Sequence, residues 1–201
     1  MQVAALGLMA AAPALADTIR VAAGPDAQER LQAALIEAKA GDMVDIGAGR
    51  FDLTDGLSLD VNGVTIRGAG PDKTILSFKG QQAAGEGLLV TSDDVVLRDF
   101  AVEDARGDGI KSKGADQIVY KNIRVEWTGG PKETNGAYGL YPVESRNVLI
   151  DGAVVKGASD AGIYVGQSRN IIVRNSTAMF NVAGIEIENS YDAAVHSNLA
   201  P

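Results

Sequence analysis

From residue 43 onward, short apolar strand-like triplets alternate with clusters of Gly, Asp and Asn, and the alternation recurs. Six times a glycine precedes an apolar residue: Gly56-Leu57, Gly87-Leu88, Gly109-Ile110, Gly139-Leu140, Gly162-Ile163 and Gly184-Ile185. These pairs lie 31, 22, 30, 23 and 22 residues apart. Seven or eight residues beyond each apolar partner comes a second triplet. Val64-Thr65-Ile66, Val95-Val96-Leu97, Ile118-Val119-Tyr120, Val148-Leu149-Ile150, Ile171-Ile172-Val173 and the weaker Ala193-Ala194-Val195 fill that place. A third short strand follows, as in Phe100/Val102, Ile123/Val125, Ala153/Val155 and Ser176/Ala178. One unit recurring at a fixed period is the signature of a solenoid.

Period-2 alternation points Leu57/Leu59, Leu88/Val90 and Ile163/Val165 to one side. A single coil cannot bury such a face, but stacked coils pair strand on strand and share a core. Three strands and three corners in about 22 residues predict an all-β, single-stranded right-handed parallel β-helix of about six coils. The glycine before each first strand is expected at a sharp corner, through positive φ or close packing. Asp94, Gln117, Asn147, Asn170 and Asp192 precede the second strands, where Asn and Asp tolerate left-handed turns and stacked amides can bond in a ladder.

The segments Asp108–Ser112 (DGIKS), Asn135–Val143 (NGAYGLYPV), Ser159–Gly166 (SDAGIYVG) and Val182–Ser190 (VAGIEIENS) resemble the secreted bacterial parallel β-helix repeat proteins of the pectate-lyase-like superfamily. The resemblance spans about residues 44 to 201 and implies the fold. It implies no single activity, because that grouping holds lyases, hydrolases, epimerases, adhesins and accessory proteins.

Residues 1–16 form an apolar run ending in Ala14-Leu15-Ala16, a small-x-small pattern suited to signal peptidase and too short to span a bilayer. It is expected to be a signal peptide that sends the chain to the periplasm or outside the cell. It lacks the usual positive start, so a buried structural segment is the other reading. No later stretch is long and apolar enough to be a transmembrane segment. With no cysteine, neither disulfides nor thiolate metal sites arise.

Residues 17–41 are expected to cap the solenoid. Asp26–Ala40 carries Leu31, Ala34, Leu35 and Ala38 at helical spacing, with Pro25 at the first turn and Gly41 as the stop. Thr18–Ala23 is expected to add an edge strand. Residues 42–201 form the β-helix. The chain ends where a third strand of the last coil is due, so truncation or cover by a partner is expected there.

The two long repeats place their extra residues around Gly80–Glu86 and Thr128–Ala137, as polar, Gly-rich loops flanking the coil of Asp108-Gly109. Inserts on one face of a repeat protein mark its binding face. The net charge of −8 argues against nucleic acid as a partner.

Outward residues of the glycine-led strands should stack as Ser58, Leu89, Lys111, Tyr141, Tyr164 and Glu186, with Asp55, Glu86, Asp108, Tyr138 and Asp160 near the strand starts. Tyrosines take the apolar side of a pyranose while carboxylates bind hydroxyls, so this face is the candidate site for a polysaccharide or oligosaccharide. Lys111, Tyr141 and Asp108 are the candidate catalytic residues; Tyr138, Tyr164, Asp160 and Glu186 are the candidate substrate-binding ones. Elimination or epimerisation of a uronate would draw on Lys111 with Tyr141 or Tyr164. Hydrolysis would draw on Asp108 and Asp160, about 9.6 Å apart over two coils, near the upper limit for an inverting pair. Binding without turnover is the third course. The alternative to a glycan-acting protein is a non-catalytic accessory or adhesion solenoid with a protein partner.

No cofactor is called for, and no metal site: His196 matches the outward slot of Arg174, and Asp93-Asp94 fill turn positions. Trp127 reads as a core anchor. The outward column Thr65, Val96, Val119, Leu149, Ile172 and Ala194 is largely apolar, a stripe of several hundred Å2 expected to be covered by further chain or a second subunit.

Overall fold

The computed structural model describes residues 16–201; the expected signal peptide, apart from Ala16, lies outside the described residues. All strand pairing is parallel between neighbouring coils. The glycine-led sheet stacks Leu57–Leu59, Leu88–Val90, Ile110–Lys113, Leu140–Val143, Ala161–Gly166 and Ala183–Glu188. The second sheet stacks eight strands, from Thr18–Val21 and Met43–Ile46 through to Tyr191–His196. A third set runs from Gly49–Asp52 and Thr74–Ser77 to Val154–Lys156 and Thr177–Met179. It joins the second sheet through Val95–Glu103 and Asp116–Glu126, which run round the corner. The solenoid thus makes about eight turns, against the expected six, because the strands at Thr18–Val21 and Met43–Ile46 stack before the first glycine-led strand begins.

Inward side chains fill the centre: Phe51, Leu59, Ile66, Leu88, Leu97, Phe100, Tyr120, Leu140 and Val165 are fully buried. Tyr120 satisfies its buried hydroxyl by donating to Ser112 Oγ at 2.7 Å. Trp127 is a core residue, donating Nε1 to Ala105 O at 2.8 Å. The helix Ala27–Glu37 lays Ala27, Leu31, Ala34 and Leu35 over the first coils, as expected of a cap.

The glycines are there for proximity, since none of the six heading a strand has positive φ. A Cβ on Gly139 would lie 2.2 Å from Val155 Cγ1 and 2.6 Å from Gly162 O. On Gly109 it would lie 2.4 Å from Val125 Cγ1 and 2.6 Å from Gly139 O. Side chains there would push adjoining coils apart. The left-handed corners fall to Asp94, Gln117, Asn147, Asn170 and Asp192, with φ of 53–58°. Their amides form the expected ladder in part, Asn170 Nδ2 donating to Asn147 Oδ1 at 2.5 Å and Gln117 Nε2 to Asp94 Oδ1 at 2.5 Å. Asp93 does turn duty, accepting from the Asp116 N–H at 2.8 Å.

One loop was misplaced by the sequence pattern. Ten residues separate Ile66 from Leu76, where five separate their partners Leu97 and Val102. Part of the first insert is therefore the turn at 68–73, between the second and third strands and one corner before Gly80–Glu86. The apolar stripe stacks in the expected column, but Val96, Val119 and Leu149 are half-buried and only its end, Ile172 and Ala194, is exposed.

Candidate functional site

The glycine-led strands fix the outward column by register: Ser58 opposite Leu89, Leu89 opposite Lys111, Lys111 opposite Tyr141, and Tyr164 opposite Glu186. Pairing of Leu140 with Ile163 sets Tyr141 beside Tyr164. Strand spacing of about 4.8 Å brings these side chains into contact. Tyr138, at the end of the second insert, adds a third ring. Its centroid lies 4.5 Å from that of Tyr164, stacked, and 4.8 Å from that of Tyr141, tilted. Tyr141 meets Tyr164 edge-on at 5.2 Å. All three rings are half-buried, so each keeps a solvent-facing part. Tyr164 lies across Gly166, where a Cβ would come within 2.8 Å of its ring, and donates its hydroxyl to Glu188.

Lys111 does not stand free between the inserts. Its ammonium sits 3.2 Å from Glu86 Oε1 and 3.9 Å from Asp108 Oδ2, and 4.8 Å from the Tyr141 ring centroid. Glu86 comes from the first insert, so that loop closes on the lysine. The first insert is pinned by Gln81, which is buried, donates to Gly85 O and Glu86 O, and accepts from the Arg106 N–H. The second insert is tied to the adjoining corner, Asn135 donating to Gly130 O at 2.9 Å and Gly157 O at 2.6 Å. Cavities of about 380 and 420 Å3 open beside it, one against Trp127 and Arg106, the other against Pro131 and Phe180, away from Lys111. A smaller one, about 210 Å3, lies on the glycine-led face between Ser58, Leu89 and Glu86.

Asp108 is buried enough that desolvation raises its carboxyl above the usual range, although the Tyr138 N–H and Lys111 pull the other way. Burial also raises the Tyr138 phenol, helped by the charges of Asp160, Asp108 and Glu186. The hydrogen bond to Glu188 raises that of Tyr164. The phenols of Tyr138 and Tyr164 therefore hold their protons and are poor bases.

Asp108 and Asp160 lie on either side of the Tyr138 coil. The Asp160 N–H donates to Ala137 O at 3.2 Å, which sets Asp160 beside Tyr138, and the Tyr138 N–H donates to Asp108 Oδ1 at 3.2 Å, so Tyr138 stands between the two carboxylates. Sequence reasoning passed over Glu188 and Lys113, both outward on the same strands as Glu186 and Lys111; carrying the alternation two residues further would have found them. Among the described residues, no three His, Cys, Asp or Glu side chains gather as a metal would need.

Fold and face together define a parallel β-helix with a tyrosine-lined, acid-rimmed outer sheet. Residues 58–200 match the family model described as the right handed beta helix region, and the chain belongs to that family. No curated protein matches the sequence. Among solved structures, an alginate lyase from Paenibacillus sp. str. FPU-7 superposes with a TM-score of 0.63 at 19% identity, over 90% of this chain and 75% of that one. The catalytic domain of a GH87 alpha-1,3-glucanase in complex with tetrasaccharides gives 0.63 at 18%, over 96% and 33%. The Dettilon tailspike protein gives 0.58 at 13%, over 85% and 35%. The chain spans about a third of the length of the latter two. At these identities the likeness is one of fold. No helix among the described residues is long and apolar enough to cross a membrane.

Proposed function

We propose that the chain binds a polysaccharide or oligosaccharide along its glycine-led face, in the periplasm or outside the cell, without turning it over. The observation that carries this reading is the outward cluster of Tyr138, Tyr141 and Tyr164, three rings from two adjacent coils in mutual contact. Ring faces and edges of this kind take the apolar side of a sugar, and the surrounding carboxylates accept from its hydroxyls. That the fold recurs in an alginate lyase and in a glucanase bound to tetrasaccharides supports the ligand class.

Binding is favoured over catalysis by the state of the candidate groups. Elimination needs a base at the α-proton and a free cation beside the uronate carboxylate. Tyr164 holds its proton, Tyr141 is packed against two rings and the Lys111 ammonium, and Lys111 is itself engaged by Glu86 and Asp108. Hydrolysis needs two carboxylates facing one bond, and Tyr138 stands between Asp108 and Asp160 while Asp108 is engaged by the Tyr138 N–H and Lys111. The half-buried state of Val96, Val119 and Leu149 lends the protein-partner reading little.

A glycan array followed by titration calorimetry tests the proposal. Tyr141→Ala should weaken glycan affinity about tenfold, with little change in melting temperature. Absence of glycan binding, or a Tyr141→Ala protein that binds like the parent, would refute it.

A further inference from the structure

The tyrosine cluster sits in an unbalanced field. Glu86, Asp108, Asp160, Glu186 and Glu188 lie on or beside its column, against Lys111 and the exposed Lys113 two residues along the same strand. Lys111 is matched by Glu86 at 3.2 Å and Asp108 at 3.9 Å, which leaves its charge compensated within the protein. Glu186 stands opposite Tyr164 in the register, Asp160 is bonded to the backbone beside Tyr138, and Glu188 accepts from Tyr164, so acid reaches each part of the aromatic surface. The surface already carries one ammonium: Lys111 Nζ stands 4.8 Å from the Tyr141 centroid with carboxylates beside it. An aromatic ring flanked by carboxylates is the chemistry that recognises a cationic amine.

Resting on the reading of this face as a glycan platform, we infer that it selects a glycan bearing primary ammonium groups, a hexosamine polymer freed of its acetyl groups, over neutral glycans and polyuronates. A polyuronate would set its carboxylates against Asp160, Glu186 and Glu188 and find Lys111 engaged. A neutral glycan gains the ring contacts alone. An aminated one gains the rings and an ion pair at each amine that reaches Asp160, Glu186 or Glu188.

The experiment titrates the protein with glucosamine hexamer, N-acetylglucosamine hexamer and a mannuronate hexamer at mildly acidic pH, over a range of salt. Glucosamine hexamer should bind about tenfold more tightly than its acetylated counterpart, with the advantage shrinking as salt rises, and the mannuronate hexamer more weakly than either. Asp160→Asn combined with Glu186→Gln should bring the ratio of the two hexosamine affinities from about tenfold to near unity, at the parental circular dichroism. Equal affinity for the two hexosamine hexamers, or tighter binding of the mannuronate, would overturn the inference and leave the platform standing. If none of the three binds and the glycan array is blank, the platform fails and the inference with it.

Discussion

Glu103 is the anionic centre of the third face, and its removal has a size that the geometry sets. Its side chain is 7% exposed and accepts from Arg50 Nη1 at 2.8 Å and Arg124 Nη2 at 2.9 Å. Arg50 is 42% exposed and also donates to Ser77 Oγ; Arg124 is 14% exposed and keeps Glu126 at 2.8 Å and Asp72 at 3.6 Å. Stripping one partner from a buried pair costs about 3–5 kcal/mol through the charge left behind. Here Arg50 can turn to water and Arg124 retains two carboxylates, so Glu103→Ala should cost about 2–3 kcal/mol. Glu103→Gln, which keeps an acceptor and the volume, should cost about 1–2 kcal/mol. Urea unfolding reads both as a lower midpoint at unchanged slope. Because Arg124 also donates to Pro71 O at 3.2 Å, proteolysis within the turn at 68–73 should quicken in the Ala variant. A Glu103/Arg124 double-mutant cycle should show coupling of at least about 1 kcal/mol. A loss under about 0.5 kcal/mol, the scale of an exposed pair, would refute the reasoning.

Gly139→Ala should destabilise by at least about 2 kcal/mol, since its Cβ would fall on Val155 and on the Gly162 carbonyl; a parental melting temperature would contradict the close-packing account. Asn170→Ala should cost less than about 1 kcal/mol, because both ladder amides are exposed, and a larger loss by thermal melting would mean that the ladder holds the corners together. Asp42 is held below the usual carboxylate range by the N–H groups of Asp17 and then Lys39. Its stabilisation is present above the unfolded pKa and is lost as pH falls through the lowered folded value. Asp42→Ala should therefore melt below the parent at neutral pH and converge with it in strong acid; a gap independent of pH would count against this.

The strand register was legible because alternation has a period of two and a stacked coil allows one choice of inward face. Leu57/Leu59, Leu88/Val90 and Ile163/Val165 are buried as the pattern requires. What was not legible lies between coils. Whether a glycine heads a strand for its φ or for its small size depends on the carbonyl of the coil above, and that neighbour is about 22 residues away along the chain. The turn at 68–73 was missed for a related reason. The Thr74–Ser77 strand fits the repeat only once Leu76 is paired with Val102, and local spacing does not offer that pairing.

The site shows the same division. The outward column of Lys111, Tyr141, Tyr164 and Glu186 follows from alternation alone, and the register reproduces it. The ionic state of Lys111 does not follow, because Glu86 stands at the end of an insert whose path is set by buried Gln81. That single ion pair changes what the face can recognise. A free lysine among tyrosines would favour an acidic sugar. A lysine closed off by Glu86 and Asp108 leaves Asp160, Glu186 and Glu188 as the uncompensated charge beside the rings, and the preferred ligand reverses sign.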